Sequence, residues 1–112
     1  MTIKQFIAKK KNELLKEIEQ TVTFYLEKNV PMYELNPKVD LITHKHFERP
    51  SRELKQCAYI YSKALYRYNY EKNERLGCEE RFLEYSIDDL NYFIEEYEPT
   101  KKEIKQAKKM LF

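Results

Sequence analysis

Residues 51–77 read SRELKQCAYIYSKALYRYNYEKNERLG, and the spacing of their apolar positions settles the fold class. Leu54, Ala58, Tyr61, Leu65 and Tyr68 advance by steps of four and three, with Cys57 and Leu76 alongside. That period is the stripe of an amphipathic helix. Ser51, directly after Pro50, is a natural N-cap, and Gly77 stands where a left-handed residue would end the helix. The spacing predicts a helix over 51–76.

Working outward, the same period runs through Ile3, Phe6, Ile7, Leu14, Leu15, Ile18, Val22, Tyr25 and Leu26. It predicts a first helix over 2–28, with a lapse in the stripe at Lys9, Lys10 and Lys11. Asn29-Val30-Pro31 ends it, because proline disfavours the α conformation in the residue before it. Residues 29–50 hold Pro31, Pro37 and Pro50 and are read as a long ordered connection without helical period. Its apolar residues (Met32, Tyr33, Leu35, Val39, Leu41, Ile42 and Phe47) are too many for a disordered linker, and a short extended piece is expected at Val39 to Thr43.

Beyond Gly77, a short helix over Cys78 to Tyr85 would bury Phe82 and Leu83. Ser86-Ile87-Asp88-Asp89 resembles a helix start with acidic residues in the first turn, where the helix dipole favours them. Ile87, Leu90, Ile94 and Tyr97 then predict a helix over 86–98, with Phe93 alongside. Pro99 punctuates, and Thr100-Lys101-Lys102-Glu103 is a capping box opening a last helix over 100–111, with Ile104, Ala107 and Leu111 inward. The chain of 112 residues is the size of one domain. An all-α, single-domain bundle of four to five helices is expected, with the long connection lying between the first helix and the helix over 51–76. The single glycine argues against a β-sandwich or barrel, whose tight turns need residues tolerant of positive φ.

The net charge of +2 hides a polarity. Residues 1–28 carry +2, residues 38–75 carry +4, residues 79–98 carry −7 and residues 100–112 carry +4. Either the acidic helix neutralises basic neighbours within the molecule, or the basic segments face a polyanion while the acidic one points away.

Catalytic chemistry has little to work with. His44 and His46 are the only histidines, and the spacing of His44, His46, Cys57 and Cys78 has none of the tight pairs of a zinc site. One glycine excludes a glycine-rich phosphate loop. Adjacent carboxylates such as Glu79-Glu80 or Asp88-Asp89 diverge by about 100° on a helix. No enzyme activity, metal or cofactor is expected.

A more specific pattern lies on the helix over 51–76. Opposite its core stripe fall Arg52, Tyr59, Lys63, Tyr66 and Tyr70, with Arg67 at the edge. Tyrosine and arginine are over-represented at interface hot spots, so these six form the candidate partner-binding face. The alternative reading of the same residues is packing on both sides of a central helix, with wet hydroxyls. A nucleic-acid-binding regulator is the rival function, using Lys9, Lys10, Lys11, Lys101, Lys102, Lys105 and Lys109. A helix-turn-helix around Pro99 would add Lys108, but its first helix would be the most acidic segment of the chain.

The preferred expectation is an accessory protein that binds or inhibits a protein partner. The tyrosine face or the apolar end Met110-Leu111-Phe112 would be the place for a homodimer. No run approaches the 18 apolar residues of a membrane helix, and the N-terminus lacks the apolar core of a secretory signal. Two cysteines are too few for a disulfide framework, which fits a reducing, cytoplasmic setting. Richness in lysine and tyrosine would follow from AT-rich codons, suggesting a low-GC bacterium, its phages or its mobile elements.

Overall fold

The computed structural model describes residues 2–73 and 80–110 and is all-α. Its helices are α1 (Ile3–Glu27), α2 (Leu35–His46), α3 (Arg52–Asn73), α4 (Glu80–Glu95) and α5 (Lys101–Lys109), with a 3-10 turn at Met32–Glu34 leading into α2. Among the described residues there is no strand, and no helix is long and apolar enough to cross a membrane.

Several helix ends have a local cause. Thr2 and Gln5 form a reciprocal capping box at the start of α1, as Thr100 and Glu103 do at the start of α5. Ser51 Oγ accepts the Leu54 amide at 3.1 Å and caps α3. At the end of α1, Asn29 takes a positive φ of 55°, the Asn29 amide bonds the Leu26 carbonyl and the Val30 amide bonds the Tyr25 carbonyl. This paired arrangement satisfies carbonyls that the helix would otherwise leave open, and asparagine tolerates the left-handed geometry better than most residues.

The core is one cluster. Leu14, Ile18 and Val22 of α1 meet Leu35, Val39 and Ile42 of α2, Leu54, Ala58 and Tyr61 of α3, and Leu90 and Ile94 of α4. Phe47, at the end of α2, is fully buried and sets its ring edge-on to Tyr97 at 4.8 Å between centroids. The buried hydroxyls of Thr43, Ser62 and Ser86 donate to the carbonyls of Val39, Tyr59 and Leu83 within their own helices, so none enters the core unsatisfied.

Three expectations are corrected. The connection over 29–50 contains a twelve-residue helix, and Val39 to Thr43, expected to be extended, lies in the middle of it. Pro37 is compatible because it occupies the first turn, where its missing amide would have no partner within the helix. Met32, Leu35, Val39 and Ile42 are spaced three, four and three apart, so the helical period was present beneath the prolines. Ser86 does not open a helix: α4 begins by Glu80, and Ser86 is buried in its interior. Phe82, expected to be buried, is 48% exposed, and Leu83 is half-buried. The stop at Gly77, the inward position of Leu111, and Leu76, Cys78 and Phe112 lie outside the described residues.

Charged side chains tie α2 to α1. Glu17 receives Lys45 Nζ at 2.6 Å and His46 Nε2 at 2.7 Å, while Glu13 lies 3.7 Å from His46 Nδ1. Burial alone would raise the Glu17 pKa, but hydrogen bonds from Lys45 and His46 and their charges outweigh it and leave the carboxyl below its ordinary value of 4.5. A depressed folded-state pKa contributes stability that is present above about pH 4.5 and lost as the pH falls through the depressed value. The wild-type chain should therefore lose stability on acidification below that point, and Glu17→Gln should flatten this part of the profile in urea titrations across the acid range. Phe47→Ala, removing a fully buried ring, should cost about 3–5 kcal/mol in the same assay at neutral pH.

Candidate partner-binding surface

Helix α3 is covered by α1, α2 and α4, and this cover divides the six candidate residues. Leu54, Ala58, Tyr61, Ser62 and Ala64 are buried. Arg52, Lys63, Arg67 and Tyr70 are exposed, Tyr70 by half. Tyr59 and Tyr66 are half-buried and pack against the rim of the core. The Tyr66 hydroxyl donates to the Val30 carbonyl at 2.8 Å, which pins its ring to the turn after α1.

That bond helps shape a groove. Tyr66, Arg67 and Tyr70 line an open groove of about 440 Å³ together with Met32 and Glu71. Met32 was not a candidate from the sequence; it arrives from the turn before α2, and only its apolar character hinted at a packed position. Arg67 lies 3.9 Å from Glu71, one helical turn on, with its own side chain 62% exposed. Glu71 is half-buried, but the contact is long and the guanidinium is exposed, so it is held only weakly and a competing anion or carbonyl can take it. Arg52 lies 18 residues before Tyr70, roughly 27 Å along the helix axis, so the six candidates form a line and only three share the groove.

The seven rival lysines are also dispersed. Lys9, Lys10 and Lys109 come together around a groove of about 340 Å³ between α1 and α5, with Phe6, Glu13, Gln106 and Met110. Lys10 Nζ stands 4.9 Å from the centre of the Phe6 ring. Lys101 and Lys102 lie at a different cleft, of about 810 Å³, among Glu48, Glu53, Glu96 and Glu98. Carboxylates there oppose a polyanion. Lys11 and Lys105 line neither groove.

A buried polar knot backs the larger cleft. The Tyr97 hydroxyl donates to Glu103 and accepts the Arg49 amide at 3.3 Å. Glu103 Oε1 also accepts the Thr100 amide at 3.0 Å. Burial, then the bond to Glu103, raises the Tyr97 phenol above its usual value, so it stays protonated and keeps donating. The knot joins the connection before α3 to the start of α5, while Glu103 Oε2 is buried without a hydrogen-bond partner among the described residues.

Both histidines are paired with carboxylates. His46 is engaged by Glu13 and Glu17, and His44 lies 3.8 Å from Asp40. Burial, with Asp89 and Glu53 nearby, raises the Cys57 thiol pKa, which lowers its thiolate fraction. Among the described residues no three His, Cys, Asp or Glu side chains are placed to hold a metal ion.

Comparison of the chain with protein-family models, with curated proteins and with solved structures finds no match.

Tyr66→Phe keeps the ring and removes its hydrogen bond to Val30. It should lower unfolding free energy by about 1 kcal/mol in urea titration, with the far-ultraviolet helical signal unchanged.

Proposed function

We propose that this protein is a non-enzymatic binding protein that receives another protein on the outer side of α3, at the groove formed by Tyr66, Arg67 and Tyr70. The observation that carries the reading is the pairing of an exposed Tyr70 and a weakly held Arg67 with a Tyr66 ring already fixed by its bond to Val30. A ring ordered before binding loses less conformational entropy on contact, and tyrosine with arginine is the usual composition of an interface hot spot. Lys63, Tyr59 and Arg52 extend the surface along the same helix. Composition suggests the setting of a regulator or inhibitor encoded by a phage or mobile element, acting in the cytoplasm of a low-GC bacterium.

A second reading has one observation of its own, the convergence of Lys9, Lys10 and Lys109 on the α1–α5 groove. It makes the protein a nucleic-acid-binding regulator. The two differ in salt dependence, since each phosphate neutralised by lysine adds to a steep salt slope, whereas a tyrosine-centred contact responds weakly.

Fluorescence-anisotropy titrations with short duplex DNA, single-stranded DNA and RNA at low and moderate salt separate them. Under the preferred reading no nucleic acid binds at low salt. A photo-crosslinking residue at position 63 then captures a protein partner in cells, and Arg67→Ala with Tyr70→Ala abolishes the capture. Tight nucleic-acid binding that is steep in salt and lost on Lys9→Ala with Lys109→Ala overturns the preferred reading.

A further inference from the structure

Helix α4 carries a second, outward stripe that the core does not use. Phe82, Tyr85, Asp89, Tyr92 and Glu96 advance by steps of three and four along α4 and into its last turn. All five are exposed, and the three aromatic rings are open to solvent by 48%, 62% and 57% in that order. Tyr92 is held edge-on against its neighbour Phe93 at 5.1 Å, so its ring is positioned without being covered. Beside this stripe stand the exposed carboxylates Glu84, Asp88 and Glu95.

Among the described residues the carboxylates of this face are not matched by ion pairs, and Arg81 is the one basic residue of α4. Among the described residues, none of Glu84, Asp88, Asp89, Glu95 and Glu96 forms an ion pair; the pairs present involve Glu13, Glu17, Asp40 and Glu71 instead. Intramolecular neutralisation by basic helices, the simpler account of the acidic segment, therefore does not describe its outer side. Three large aromatic side chains on one row of a solvent-facing helix exceed what solubility requires, and aromatic rows are a recurrent feature of helix-recognition surfaces.

We infer that the outer face of α4 is a docking surface for a basic, amphipathic helical segment of a partner protein. Apolar side chains of that segment would lie along Phe82, Tyr85 and Tyr92. Its arginines or lysines would meet Asp88, Asp89, Glu95 and Glu96, with guanidinium groups also able to stack on the tyrosine rings. Charge complementarity selects the occupant: an acidic row repels nucleic acid and anionic membranes, and a neutral apolar helix would leave several carboxylates partly desolvated without partners. This surface is distinct from the α3 groove and does not depend on it.

The test uses the full chain and a fluorescein-labelled peptide of leucine, alanine and arginine matching the 16 residues of α4 in length, with arginines flanking a leucine row. An equivalent glutamate peptide is the control. Anisotropy should show binding of the arginine peptide alone. Tyr85→Ala with Tyr92→Ala should weaken it by about tenfold or more, equivalent to about 1.4 kcal/mol, although no charge has changed. Asp88→Asn with Asp89→Asn should weaken it as well and reduce its salt dependence. These positions are exposed, and circular dichroism checks that both variants stay folded. Failure of the arginine peptide to bind at low salt overturns the inference. So does binding that ignores the tyrosine substitutions, which would be charge attraction without a docking surface. Sedimentation showing a dimer that the tyrosine variant dissolves would assign the face to a second copy and likewise overturn it.

Discussion

Helix α3 has a buried arc too broad for one neighbour, and covering it is the constraint on which the rest of the fold depends. Leu54, Ala58, Tyr61, Ser62 and Ala64 together span roughly half of the helix circumference. One packed helix covers only a narrow stripe, so α1, α2 and α4 are all needed. Tyr61 shows the cost of this arrangement. Its ring is buried, its hydroxyl reaches Glu19 at 3.3 Å, and burial followed by the nearby carboxylate pushes the phenol pKa up. On the remaining arc Arg52, Lys63, Arg67 and Tyr70 stay exposed, while the Val30 turn and Met32 close in beside Tyr66.

Electrostatics then separates the two sides of the molecule. Where α2 meets α1, Glu13, Glu17, Lys45 and His46 compensate one another, which favours one register of the two helices more than it adds net stability. On the outside of α4 no such compensation exists among the described residues. A small core surrounded by so many charges leaves the protein two chemically different helix faces, a tyrosine and cation face on α3 and an aromatic and acidic face on α4.

Much of the architecture was legible in the residues because it follows from local rules. The stripes of α1 and α3, the cap at Ser51 and the capping box at Thr100 need only the helical period and the orphan amides of a helix start. Two elements were hidden by residues with more than one use. Prolines around Leu35, Val39 and Ile42 suggested a connection, yet Pro37 is harmless in a first turn. Ser86 has the chemistry of a cap, yet inside α4 it satisfies itself on the Leu83 carbonyl and occupies a buried position where a small side chain fits.

The candidate site divides along the same line. The sequence by itself determined that the chain is helical, that α3 carries tyrosines and cations away from its apolar stripe, and that the segment forming α4 is acidic, since periodicity and charge are properties of order along the chain. Only the tertiary structure decided that Tyr66 is pinned to Val30 while Tyr70 stays open, that Met32 completes their groove, and that Lys9 and Lys109 meet while Lys101 sits among carboxylates. Those outcomes depend on which helices pack where. Residues far apart in sequence are brought together by burial of the shared core, and a helical period read one segment at a time contains no term for its neighbours.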